Sequence, residues 1–226
     1  MSRITTREPV IFIGACLVAA MTGVSAFWGP DLRWLLQPPT PRIVFLGDSL
    51  TSGRGLSASR AYPAVLQHRL DRAGWPYRVV NAGASGETSG RALDRLPVAL
   101  EGDVRLLVVA LGASDASHGV PIAQLKANLA RIIEVAQGRG IRVLLCGFEG
   151  RGDGSAAPSG FDAAYHELAA RYRVPLVPFM LEGVIDDPTL MPPDRLHPNA
   201  AGAVAIADTL WPYLEPLVAA ETAAGR

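Results

Sequence analysis

Lysine is almost missing from this 226-residue chain: Lys126 is the sole example, and the other cationic residues are arginines. Formal net charge is zero. No basic run interleaves with aromatics, so the sequence carries no footprint of nucleic-acid binding. Cysteine is scarce too. Cys16 lies in an apolar N-terminal run and Cys146 ends a core-strand pattern; neither has metal-ligand spacing, and no disulfide between them is expected. An inert, buried thiol is expected at Cys146. Internal repeats and low-complexity blocks are absent. With 49% hydrophobic and 19% charged residues, a disordered chain is excluded and one domain of ordinary size is expected.

The one long uncharged run is N-terminal. Met1 to Pro9 is polar and carries Arg3 and Arg7, and Val10 to Trp28 follows without a charge, about the length that a membrane-spanning helix requires. Val24-Ser25-Ala26 has the small residues of a cleavage site. Residues 1–28 therefore read as a signal peptide, or as a retained anchor with the arginines inside. Residues 29–41, rich in proline, read as a stiff linker. Either version places the domain, expected over 42–219 with a tail at 220–226, outside the cytoplasm: exported and periplasmic or extracellular, or anchored to the outer face of the inner membrane.

Within the domain, apolar runs at Arg42–Gly47, Tyr77–Asn81, Val104–Leu111, Ile141–Cys146 and Leu176–Pro178 read as strands. Helical spacing marks Ala58–Ala73, a stretch ending near Leu96, Ile122–Ala136, Phe161–Tyr172 and Ala200–Val218. Alternation of this kind implies an α/β fold, a parallel sheet covered on both faces. Gly147 to Gly160 reads as a mobile loop near the site, and Met180 to Met191 as irregular and acidic.

Three strands end in small-residue loops, at Ser49, Gly86 and Ser114, and in such sheets ligands sit beyond the carboxyl ends of the strands. Val44-Phe45-Leu46-Gly47-Asp48-Ser49-Leu50 is a buried strand delivering a hydroxyl into a loop at the start of a helix. Alone it reads equally as a junction with Ser49 as a helix cap. Far down the chain, Asp194-Arg195-Leu196-His197-Pro198-Asn199 places a carboxylate and an imidazole three apart, on one face of a helical turn. A serine hydroxyl needs such a base, because it is un-ionised at neutral pH.

Taken together, Gly-Asp-Ser-Leu and Asp-x-x-His-Pro-Asn resemble the SGNH hydrolases, the GDSL esterase/lipase family, and within it the bacterial thioesterase I/lysophospholipase and arylesterase branch. The resemblance spans Arg42 to Leu217. It implies a three-layer α/β/α, flavodoxin-like five-stranded parallel sheet. It implies a hydrolase of carboxylic esters or thioesters with small or fatty acyl groups, acting without cofactor or metal, as a monomer on small-molecule esters. Ser49 would be the nucleophile, His197 the base and Asp194 its orienter. The oxyanion donors would be Ser49, Gly86 and Ser114. At Gly112-Ala113-Ser114-Asp115 the chain departs from the family's Gly-x-Asn-Asp: a serine hydroxyl stands where an asparagine amide is usual, with a shorter reach. Asp115 is expected to cap its loop. His118 is a candidate for the cleft wall, and His68 and His166 are expected on helix surfaces. Two alternatives stay open, a deacetylase of envelope carbohydrate esters and a silent binding domain that kept the triad.

Overall fold

The structure, a computed structural model, describes residues 39–148, 160–192 and 196–224. The N-terminal segment with Val10 to Trp28 and Cys16, most of the 147–160 loop, and Asp194 with its neighbours Pro193 and Arg195 lie outside the described residues. Among the described residues, no helix is long and apolar enough to cross a membrane.

Five strands form one parallel sheet: β1 (Arg42–Gly47), β2 (Arg78–Gly83), β3 (Val104–Ala110), β4 (Arg142–Cys146) and β5 (Leu176–Val177). Their order is β2-β1-β3-β4-β5. The order reverses beside β1, and a crevice opens at such a switch point beyond the strands' carboxyl ends. The central strands are apolar throughout because both faces are covered. Ile43, Phe45, Leu106 and Val108 pack into one core and Val44, Leu46, Leu107 and Val109 into the other. Helices α2 (Tyr62–Arg72) and α7 (Ala200–Ala224) cover the first face; α3 (Ser89–Ala99), α5 (Ile122–Gly138) and α6 (Phe161–Tyr172) cover the second. Two short helices, α1 (Ser49–Ser52) and α4 (Ala113–Ser117), follow β1 and β3 directly.

The expected strands and helices are all present, with instructive shifts at their ends. The Ala58–Ala73 helix is divided: a 3-10 turn at Ala58–Arg60 precedes an extended Ala61, and α2 begins with Pro63 in its first turn. That position suits a residue with no N–H to donate. Strand β2 starts and stops later than its apolar run, since the ladder from Arg42↔Arg78 to Gly47↔Gly83 sets its limits. It is an edge strand and only partly buried. The apolar pattern predicts a closing helix to Val218 and a tail at 220–226, but α7 continues to Ala224. Polar contacts explain the difference. Arg142 pairs with Glu221 at 2.6 Å, Arg105 also approaches Glu221, and the Thr222 hydroxyl donates to the Tyr77 hydroxyl. Cys146 is buried, and burial pushes its thiol pKa far up, as expected of an inert core thiol.

Candidate active site

The carboxyl ends of β1, β2 and β3 converge because glycines let the backbones touch. A Cβ on Gly83 would lie 2.2 Å from the Ser52 nitrogen, and one on Gly47 would lie 2.0 Å from the Thr51 hydroxyl. Asp48 follows. It is almost wholly buried and its side chain accepts from the Leu50 N–H at 3.0 Å, so Asp48, and not Ser49, caps α1. Ser49 is left as the first residue of α1, half-buried, with its hydroxyl free to meet another group.

That group is His197. Its Nε2 lies 3.1 Å from Ser49 Oγ, although the residues are 148 positions apart. The distance is within hydrogen-bonding range and within reach for proton transfer. The histidine turn is secured by the residues around it. Asn199 Oδ1 accepts from the Ala201 and Gly202 N–H groups, and Asn199 Nδ2 donates to the Thr189 carbonyl. Gly202 lets α7 approach: a Cβ there would lie 2.6 Å from the Leu190 carbonyl oxygen and 2.7 Å from Pro198 Cβ.

Buried polar ties join the three loops in pairs. Asp48 Oδ2 accepts from the Ser114 N–H at 3.2 Å, which connects the first loop to the third. Asp115 accepts from the Ser89 N–H and hydroxyl at 2.8 and 2.6 Å, and Asn128 donates to the same hydroxyl; these connect the third loop to the second. Asp115 is thus structural, as expected, but the N–H it caps belongs to Ser89 at the start of α3 and not to its own loop. Arg95 joins the second loop to the first. Its guanidinium binds both oxygens of buried Glu87, next to Gly86, and donates to the Ala82 carbonyl, with the Gly47 carbonyl at 3.5 Å.

Burial raises the Asp48 pKa to about 6, since desolvation outweighs the two backbone N–H groups that favour the anion. Nearby Asp115 adds to the rise and His197 opposes it.

Gly86 is exposed with φ +74°, a conformation that suits glycine. Among the described residues, no protein acceptor takes the Ser49 or Gly86 N–H, and nothing pairs with the Ser114 hydroxyl. His118 is exposed, its Nδ1 2.6 Å from the Ser114 carbonyl oxygen; His68 and His166 are exposed on their helices, as expected. Among the described residues, no three His, Cys, Asp or Glu side chains converge as a metal-ligand set.

Sequence inspection missed what Asp48, Arg95 and Asn199 do. Asp48 and Asn199 stood inside the quoted motifs, where their neighbours drew the attention. Arg95 gave no signal at all, because its partners, the Glu87 carboxylate and carbonyls of β1 and β2, lie outside its own helix.

Residues 45–205 match the model of the GDSL-like Lipase/Acylhydrolase family. Esterase TesA of Pseudomonas aeruginosa is 38% identical over 184 residues, covering 80% of this chain and 92% of that one. Thioesterase 1/protease 1/lysophospholipase L1 of Escherichia coli is 36% identical over 180 residues, 78% of this chain and 84% of that one. The crystal structure of TesA superposes with a TM-score of 0.74 at 39% identity, covering 78% of this chain and 99% of that one. The chain therefore belongs to the GDSL-like lipase/acylhydrolase family, the SGNH hydrolases, and is an ester-bond hydrolase.

Proposed function

We propose that ester cleavage proceeds through a serine mechanism with Ser49 as nucleophile, His197 as base and Asp194 as its orienter. The observation that carries this reading is the 3.1 Å approach of His197 Nε2 to Ser49 Oγ. His197 takes the Ser49 proton as Oγ attacks the carbonyl carbon. The carbonyl electrons move to oxygen, and the oxyanion is met by the Ser49 and Gly86 N–H groups and the Ser114 hydroxyl. When the intermediate collapses, His197 gives its proton to the departing alcohol or thiol. A water, deprotonated by His197, then releases the acid and restores Ser49. Asp194 enters through the Asp-x-x-His spacing, which suits a carboxylate holding the imidazole in the productive tautomer.

Substrates of this site are proposed to be carboxylic esters or thioesters of small or fatty acyl groups. The support is the kind of activity named for the relatives, an esterase in one and a thioesterase and lysophospholipase in the other. Residues 1–28 are proposed to export or anchor the domain. The test is labelling by a fluorophosphonate together with hydrolysis of a chain-length series of nitrophenyl esters. Ser49→Ala should abolish labelling and lower turnover by about 10⁴-fold or more. Undiminished labelling in that variant would falsify the serine reading.

A further inference from the structure

Two cavities open beside Ser49 on the histidine side, and Arg54 lines both. The smaller is a slot of about 10 Å³, room for little more than a water, between Ser49, His197, Leu50, Leu56 and Tyr62. The larger, about 320 Å³, is walled by Leu56, Pro192, His197, Pro198 and Asn199. No carboxylate is among the described residues lining either cavity. Arg54 is exposed and, like Arg60, Arg72 and Arg91, meets no carboxylate among the described residues; what sets it apart is its position beside Ser49 and His197. Its place is nonetheless set. The Arg54 N–H donates to the Ser49 carbonyl at 3.1 Å, and Gly53 and Gly55 on either side have φ of +72° and +85°. The inner side of this turn is closed, because a Cβ on Gly53 would lie 2.6 Å from Ala61 Cβ.

We propose that Arg54 is an anion-binding residue for the alcohol portion of the substrate, so that the preferred esters carry a carboxylate or phosphate on the leaving group. The side of the ester follows from the proton. His197 delivers it to the departing oxygen, so whatever that oxygen bears extends into the space that His197, Leu56 and Pro198 line. The oxyanion loops at Gly86 and Ser114 line neither cavity. An exposed, unpaired guanidinium on the rim of both cavities suits a carboxylate or a phosphate, which accepts its N–H groups in pairs. The assignment of sides rests on the serine reading above.

The experiment uses the full chain and four esters: phenyl butyrate, 3-carboxyphenyl butyrate, 3-phosphonooxyphenyl butyrate and phenyl hydrogen glutarate. The first has no charge, the next two carry the anion on the alcohol, and the last carries it on the acyl group. Arg54→Gln should lower the selectivity for each anionic-alcohol ester over phenyl butyrate, as a ratio of kcat/KM, about tenfold and mostly through KM. Arg54→Lys should retain part of it, and added salt should erode it in the parent chain. A ratio that does not change overturns the proposal, as does an equal fall in the glutarate ratio. Equilibrium binding of the same esters to Ser49→Ala, with and without Arg54→Gln, gives the answer independently of turnover. If the anionic preference persists without Arg54, the proposal fails whether or not Ser49 is the nucleophile.

Discussion

The two halves of the reacting pair are held in opposite ways. Around Ser49, three strand ends are stitched by buried charge: Asp48 to the Ser114 N–H, Asp115 to Ser89, and Arg95 to Glu87 and the strand carbonyls. On the His197 side, the ties of Asn199 to nearby backbone are neutral ones, joined by the close seat of Gly202 under Leu190 and Pro198. Charge-assisted bonds in a dry site are strong and fail sharply when one partner goes. Neutral caps yield by degrees. The nucleophile side is therefore expected to behave as one rigid unit, and the histidine side as an adjustable arm brought up to it.

Substitutions can break that contrast. The largest effect is expected at Arg95→Met, which leaves Glu87 buried without its cation. Stability in urea should fall by about 3 kcal/mol. Turnover should fall by about 10²-fold as the Gly86 loop loses its seat beside Gly47. A variant that melts early yet keeps full turnover when folded would show that the clasp does not position the loop.

Next comes Asp48→Asn, read by urea denaturation across a pH series. The Asp48 pKa stands near 6 in the fold against an ordinary 3.8. Between those values the folded chain holds a proton that the unfolded chain has released. Stability should thus decline as pH rises through this window, by about 3 kcal/mol from this group. Asparagine has no proton to lose there and should flatten the slope; parallel slopes in the two proteins would dismiss the assignment.

Asn199→Ala addresses the other side. It should cost about 1–2 kcal/mol through the lost helix cap. It should also slow turnover about tenfold by loosening His197, with KM little altered. A collapse as large as that of Arg95→Met would remove the difference between the halves. The smallest change expected is a gain. Ser114→Asn, with its longer amide reach, should speed hydrolysis of a simple ester about threefold to tenfold. An unchanged or lower rate would mean that the serine hydroxyl already serves as well as an amide.

How far the sequence could be read follows from the same contrast. Strand β1 ends at Gly47 as expected, and Phe161–Tyr172 is helical over the range expected, because apolar spacing and a flanking glycine are local signals. The meeting of Ser49 and His197 was legible as well, since the two residue types imply each other chemically. Arg95 was not legible, because an arginine that serves Glu87 and carbonyls of two strands looks like any surface cation in its own helix. Nor was the continuation of α7 past Val218, where Glu221 and Thr222 are polar yet held by Arg142 and Tyr77. Apolar periodicity marks burial, and it is silent wherever a polar contact does the holding.

Helix α7 has 25 residues, about 37 Å at the α-helical rise, and carries Pro212 and Pro216 in its second half. One extremity begins at the Asn199 cap, two residues from His197; the other is moored by Glu221 and Thr222 at the opposite rim of the sheet, where β3 and β4 start. Each proline leaves a carbonyl without its helical partner, so the length holds as one piece only while both extremities are tied: trimming the chain before Glu221 is expected to free the far mooring and loosen the imidazole's bearing on the serine.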